Sequence, residues 1–182
     1  MHDRSSRLLG FGATVAYLVA AALFALILTR HDTSVTVPVQ IEAPPAAVWR
    51  ALADNRNYPA WNPLIRRLEG ELTQGGEVDL TVRLPGAASH SIRASVLVAN
   101  ADGELRWKGA WLHPDLLLVE DSVEFEKSPT GTKLNHTARF TGLLAGRFTV
   151  DLIERGRVGL EAMNQALKEY LEQPARSTAA AQ

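Results

Sequence analysis

The sequence has 182 residues, with 19 Lys and Arg against 20 Asp and Glu, five His and no Cys. That length fits one globular domain plus whatever its termini add, not a two-domain enzyme. The near-zero charge and lack of a long basic run leave no electrostatic footprint for nucleic acid, and the missing thiols exclude disulfide scaffolds, thiolate zinc sites and Cys nucleophiles.

Residues 8–28 read LLGFGATVAYLVAAALFALIL, whose only polar groups are the Thr14 hydroxyl and the Tyr17 phenol. At about 1.5 Å per helical residue this run matches a hydrocarbon core about 30 Å thick. A membrane-spanning helix over 8–28 is therefore expected, after a short flank (1–7) and before a linker (29–33). The rival is a cleaved signal peptide. Against it, the run exceeds the roughly 7 to 15 apolar residues usual there, and bulky Phe24, Leu26, Ile27 and Leu28 occupy its end. Arg4 and Arg7 before the run and Arg30 after it favour an inside N-terminus, which puts the following domain on the extracytoplasmic side of a single-pass protein.

The domain is expected over 34–173. In 34–42, Val35, Val37, Val39 and Ile41 alternate with polar residues or Pro38, the pattern of a strand with one buried face, and the proline places it at a sheet edge. Pro44 and Pro45 then open a short helix whose Val48, Trp49 and Leu52 fall at helical spacing. In NYPAWNP two prolines limit any helix to a turn, and Tyr58 and Trp61 read as core anchors.

After Gly75-Gly76, three alternating runs predict strands: Val78, Leu80, Val82 and Leu84; His90, Ile92, Ala94, Val96 and Val98; Leu105, Trp107, Gly109 and Trp111. In the next run, 117–125, Asp121 is in phase with Leu117, Val119, Val123 and Phe125, so a carboxylate points inward. Past the turn Ser128-Pro129-Thr130-Gly131, the last strand puts His136 on the inner face with Leu134, Ala138 and Phe140. A long helix over 150–172 follows, with Leu152, Gly156, Leu160, Met163, Leu167 and Leu171 along one stripe. Each mid-helix glycine costs about 1 kcal/mol against Ala, so Gly156 and Gly159 mark either close backbone packing or space left open above the sheet. The tail over 174–182 is small and polar and reads as disordered.

The segments IEAPPAAVWRALADNRNYPAWNP, ELRWKG, TKLNHTARFTGLL and GLEAMNQAL, in the order strand, two short helices, six strands and long helix, resemble the START-like or Bet v 1-like superfamily. The closer resemblance is to its bacterial SRPBCC branch, the polyketide cyclase/dehydrase-like proteins. It implies an α+β helix-grip fold, a curved antiparallel sheet wrapped around the C-terminal helix, with an internal cavity for an apolar ligand. Many relatives carry Gly-Glu-His-x-Phe where this chain has Val119 to Val123, so Asp121 stands in the place of an inward His. Relatives also often carry an inward Glu where this chain has Ala138.

Asp121 and His136 lie on consecutive antiparallel strands and the same face, directly opposite or diagonal. They are the candidate acid and base. The blander reading is that they satisfy each other. Trp107, Trp111, Asp121, His136, Phe140 and Met163 are the candidate ligand-binding residues, although the apolar ones would look the same as plain core. No HExxH, GxSxG, Walker or GxGxxG pattern is present, so no metal site and no cofactor is expected. The main reading is a membrane-anchored binding protein for a hydrophobic small molecule such as a lipid, quinone or polyketide-like compound. The alternative is a cyclase or dehydratase using Asp121 and His136 as acid and base on a polycarbonyl substrate.

Overall fold

The computed structural model describes Thr14 and residues 16–21, 24–25, 31–145 and 150–173. From residue 31 the order is β1 (His31–Ile41), α1 (Pro45–Ala53), a 3-10 turn (Asn55–Asn57), α2 (Tyr58–Trp61), β2 (Ile65–Gly70), β3 (Glu77–Val82), β4 (His90–Asn100), β5 (Glu104–Ala110), β6 (Leu118–Ser128), β7 (Gly131–Gly142) and α3 (Val150–Glu172). All strand pairings are antiparallel, in the spatial order β1-β7-β6-β5-β4-β3-β2. The sheet wraps the long α3, as expected for a helix-grip fold.

Each part follows from its residues. Pro38 sits in β1 at the sheet edge, where a missing N–H costs no ladder bond. Pro45 opens α1 at the position where the helix has no use for an amide hydrogen. The β6–β7 hairpin needs Gly131, whose φ is +138° and whose added Cβ would lie 2.2 Å from the Ile41 carbonyl oxygen. Between α3 and the concave sheet the core gathers Ile41, Val48, Leu52, Tyr58, Leu105, Leu134, Met163 and Leu167, all under 2% exposed. Each such side chain contributes roughly 1.5–3 kcal/mol by leaving water.

One strand escaped the period-two reading. β2 buries Ile65 and Leu68, three apart, because its register shifts between Ile65 and Arg67. A second bulge in β4, between Val96 and Val98, moves Ala99 rather than Val98 onto the core. A bulge inserts one residue and reverses the phase of all that follow, which alternation alone does not anticipate.

The expected membrane-spanning helix over 8–28 is corrected. Among the described residues no helix is long and apolar enough to cross a membrane. A span needs about 20 consecutive helical residues; Thr14, 16–21 and 24–25 of that run are described, as helix, and the rest lies outside the described residues. The single-pass topology, the extracytoplasmic placement and the membrane as a partner fall with it. The disordered tail expected over 174–182 also lies outside the described residues.

Candidate active site

Strand register sets the inner face of the site. Asp121 on β6 lies opposite Trp107 on β5 and Ala138 on β7, while His136 lies opposite Val123 on β6 and Val37 on β1. Asp121 and His136 are therefore diagonal neighbours, and the small Ala138 beside the carboxylate leaves it room to reach the ring. His136 Nε2 lies 3.1 Å from Asp121 Oδ1 and 3.2 Å from Oδ2.

The other ring nitrogen is fixed from the helix. Asn164 of α3 donates from Nδ2 to the Val37 carbonyl at 3.0 Å, so its Oδ1 faces His136 Nδ1 at 2.9 Å. A carbonyl oxygen only accepts, so the network assigns a hydrogen to Nδ1. The Nε2–carboxylate contact then needs one shared proton, which makes either an imidazolium beside a carboxylate or a neutral imidazole beside a carboxylic acid. Burial opposes the charged ring, but the Asp121 charge and the hydrogen bonds to Asp121 and Asn164 outweigh it, and the His136 pKa is raised above its ordinary 6.5. That direction favours the charged ring.

His136 is 1% exposed, whereas the Asp121 side chain keeps 17% of its surface open. That difference divides their roles. Asp121 lines an internal cavity of about 80 Å³ between sheet and helix, and His136 sits behind it, out of the wall. The wall also contains Trp107, Trp111, Phe140 and Met163, with Gly109 and Gly156 supplying bare backbone; Asp121 is its one ionisable group among the described residues. Of the six residues proposed from sequence to bind a ligand, five thus share the wall and His136 supports it. Besides Asp121, Val82, Trp111, Val119 and Leu152 are its half-buried members and mark the side nearest solvent. The cavity is smaller than the roughly 300–1,000 Å³ of drug-sized ligand sites.

Tyr58 is fully buried and donates to the Leu52 carbonyl at 2.9 Å. Burial, and then the Asp121 charge, push its phenol far above the ordinary range, so it is neutral. His90 stacks on Trp111 with ring centroids 4.7 Å apart and contacts the Trp111 carbonyl at 2.6 Å, bracing that wall residue; His113 lies in an exposed loop. Asn164 was missed in the sequence. Its signal was present, since it stands four residues after Leu160 and three before Leu167 on the apolar stripe, where an amide needs a partner.

A family model described as polyketide cyclase / dehydrase and lipid transport matches residues 32–172. No curated protein matches the chain. Among solved structures, protein MLL2253 from Mesorhizobium loti is 19% identical, with 76% of this chain and 96% of that one covered at a TM-score of 0.61. Norcoclaurine synthase from Thalictrum flavum is 12% identical, with 80% and 97% covered at a TM-score of 0.63. The di-domain ARO/CYC StfQ of the steffimycin biosynthetic pathway is 16% identical, with 78% of this chain and 51% of its own covered at a TM-score of 0.60. At such identities the structures speak for the shared helix-grip fold alone. The family model spans every strand that builds the cavity and the helix that closes it, and on that match the chain belongs to the polyketide cyclase / dehydrase and lipid transport family.

Proposed function

We propose that this protein is an acid–base enzyme of the cyclase or dehydratase type, acting on a small polycarbonyl, polyketide-like substrate. This replaces the membrane-anchored carrier expected from the sequence, whose anchor is absent among the described helices. The observation that carries it is the Asp121–His136–Asn164 chain, in which a carboxylate facing an apolar cavity is backed by a buried ring whose Nδ1 is held by Asn164. A carrier for a purely apolar ligand has no use for a charge in its wall.

Asp121 is the group that meets substrate. Its carboxylate takes a proton from a carbon flanked by two carbonyls, the C–H electron pair becomes an enolate, and the enolate carbon attacks a second carbonyl of the same chain. The new alkoxide recovers the proton from Asp121, which restores the carboxylate; Asp121 then takes the remaining proton of the same carbon and returns it to the hydroxyl as the C–O bond breaks, so water leaves and the site ends as it began. His136 is a positioning residue: its imidazolium holds Asp121 ionised and in one orientation, and Asn164 fixes the ring. The 80 Å³ cavity admits a fragment of a few heavy atoms beside Asp121, so a larger substrate displaces the half-buried Trp111 or Leu152.

The test is exchange of the central C–H of a small 1,3-diketone in D2O, followed by NMR under conditions where the uncatalysed reaction is slow. Wild-type protein is expected to accelerate it. Asp121→Asn should remove roughly 100-fold or more of that acceleration, the range of general acid–base catalysis, while His136→Gln removes less. No acceleration by wild type, or an Asp121→Asn rate equal to it, overturns the assignment.

A further inference from the structure

Leu64 and Leu84 belong to two spaces at once. They wall the inner cavity, and they also wall an outer groove of about 310 Å³ bounded by Arg66, Arg83, Gly159 and Ala162. The partition is thin on the helix side: a Cβ added at Gly159 would come within 2.8 Å of Leu64 Cδ1, so the leucine lies on bare helix backbone. Leu64 and Leu84 are thus the side chains shared between groove and cavity.

Most surface arginines are paired, and Arg50, Arg56, Arg66 and Arg83 are the described ones without a carboxylate; of these only Arg66 and Arg83 line this groove. Arg67 pairs with Glu69 at 2.8 Å, Arg93 with Asp79 at 3.0 Å, and Arg106, Arg139, Arg155 and Arg157 each have a carboxylate. Among the described residues neither Arg66 nor Arg83 has an acidic partner, and no carboxylate lines the groove. Local backbone brings them together. Arg83 N donates to the Leu64 carbonyl at 2.8 Å, and the β2 bulge leaves Arg66 outside the paired ladder.

We propose that Arg66 and Arg83 bind the anionic end, a carboxylate or phosphate, of an amphipathic substrate whose apolar part passes between Leu64 and Leu84 toward Asp121. The inference rests on the cavity receiving a substrate. Charge sets the direction of entry, because the Asp121 carboxylate repels an anion from the inner end while two unpaired guanidinium groups attract it to the outer one. The substrate is therefore held with its acidic end out and its reacting carbonyls in.

Hexanoate and the uncharged 1-hexanol are titrated into the full chain with methyl-labelled Leu and Met, using wild type, Arg66→Gln, Arg83→Gln and the double variant, with inorganic phosphate as a third probe. Hexanoate should bind about tenfold more tightly than hexanol at low salt and shift the Leu64, Leu84 and Met163 methyls. The preference should weaken in each single variant and vanish in the double variant and at high salt. Equal affinities in wild type with Met163 shifted overturn the anion site and leave the cavity reading standing. A preference that survives the double variant, or phosphate binding as tightly as hexanoate, also overturns it. No Met163 shift with either molecule removes both readings.

Discussion

Asp121 and His136 bind one proton between them, and the geometry decides which way that proton can move. With Nδ1 committed to Asn164, only Nε2 is free to exchange with the carboxylate, so any pH effect at the site runs through the Asp121 contact. The His136 pKa is raised on folding, so its contribution to stability is complete below 6.5 and is lost as pH rises through the higher folded value. In Asp121→Asn the carboxylate charge is gone and burial dominates, which lowers the pKa and reverses the sign, so that the variant loses stability from this group as pH falls. Urea denaturation midpoints on either side of pH 6.5, each referred to His136→Gln, should therefore slope in opposite directions for wild type and Asp121→Asn. Parallel slopes would mean that the pair is not coupled in solution.

At the scale of elements, α3 is both the lid of the core and a wall of the cavity, and its two glycines divide those tasks. Gly159 is a packing glycine, because a side chain there meets Leu64. At Gly156 an added Cβ would find the Phe140 ring at 3.4 Å, ordinary contact at the edge of the open space. The helix is held in place at its far end, where Lys168 Nζ donates to the Gln40 carbonyl at 2.9 Å and Glu172 accepts from Glu42 N at 2.6 Å. The Lys168 hydrogen bond, then the Glu42 amide, hold the Glu172 carboxyl below its usual range. Gly156→Ala should stabilise the protein by up to about 1 kcal/mol, the helix-propensity difference, with no packing conflict to offset it. Gly159→Ala should gain less or lose, since Leu64 must move. Denaturant midpoints for the two variants check the order, and equal stabilisation would show that Leu64 yields without cost.

For the molecule as a whole, the sheet closes the fold across the length of the chain. β1 pairs with β7, so residues 31–41 find partners at 132–142, about a hundred positions away. Loop-closure entropy must be met before those contacts stabilise anything, and a seven-stranded antiparallel sheet is rich in such pairings. Refolding from urea should therefore run on the millisecond-to-second scale, as followed by stopped-flow fluorescence of Trp49, Trp61, Trp107 and Trp111. Microsecond refolding would contradict a fold that depends on joining its first and last strands.

What the sequence determined by itself was local and periodic. Alternation placed Asp121 and His136 on the inner face, and the three-to-four spacing gave α3 its observed bounds, because both patterns are written in neighbouring residues. Bulges were illegible, since one inserted residue reverses the phase without leaving a compositional mark, and β2 was lost for that reason. The span expected over 8–28 rested on hydropathy and length, which describe what a segment can do, and among the described residues no helix is long and apolar enough to cross a membrane. Only the tertiary structure chose the diagonal register between Asp121 and His136, set Asn164 against the ring, and put His136 behind Asp121 rather than beside it. Those are relations between β6, β7 and α3, and they exist only once packing has fixed the distance between side chains far apart along the chain.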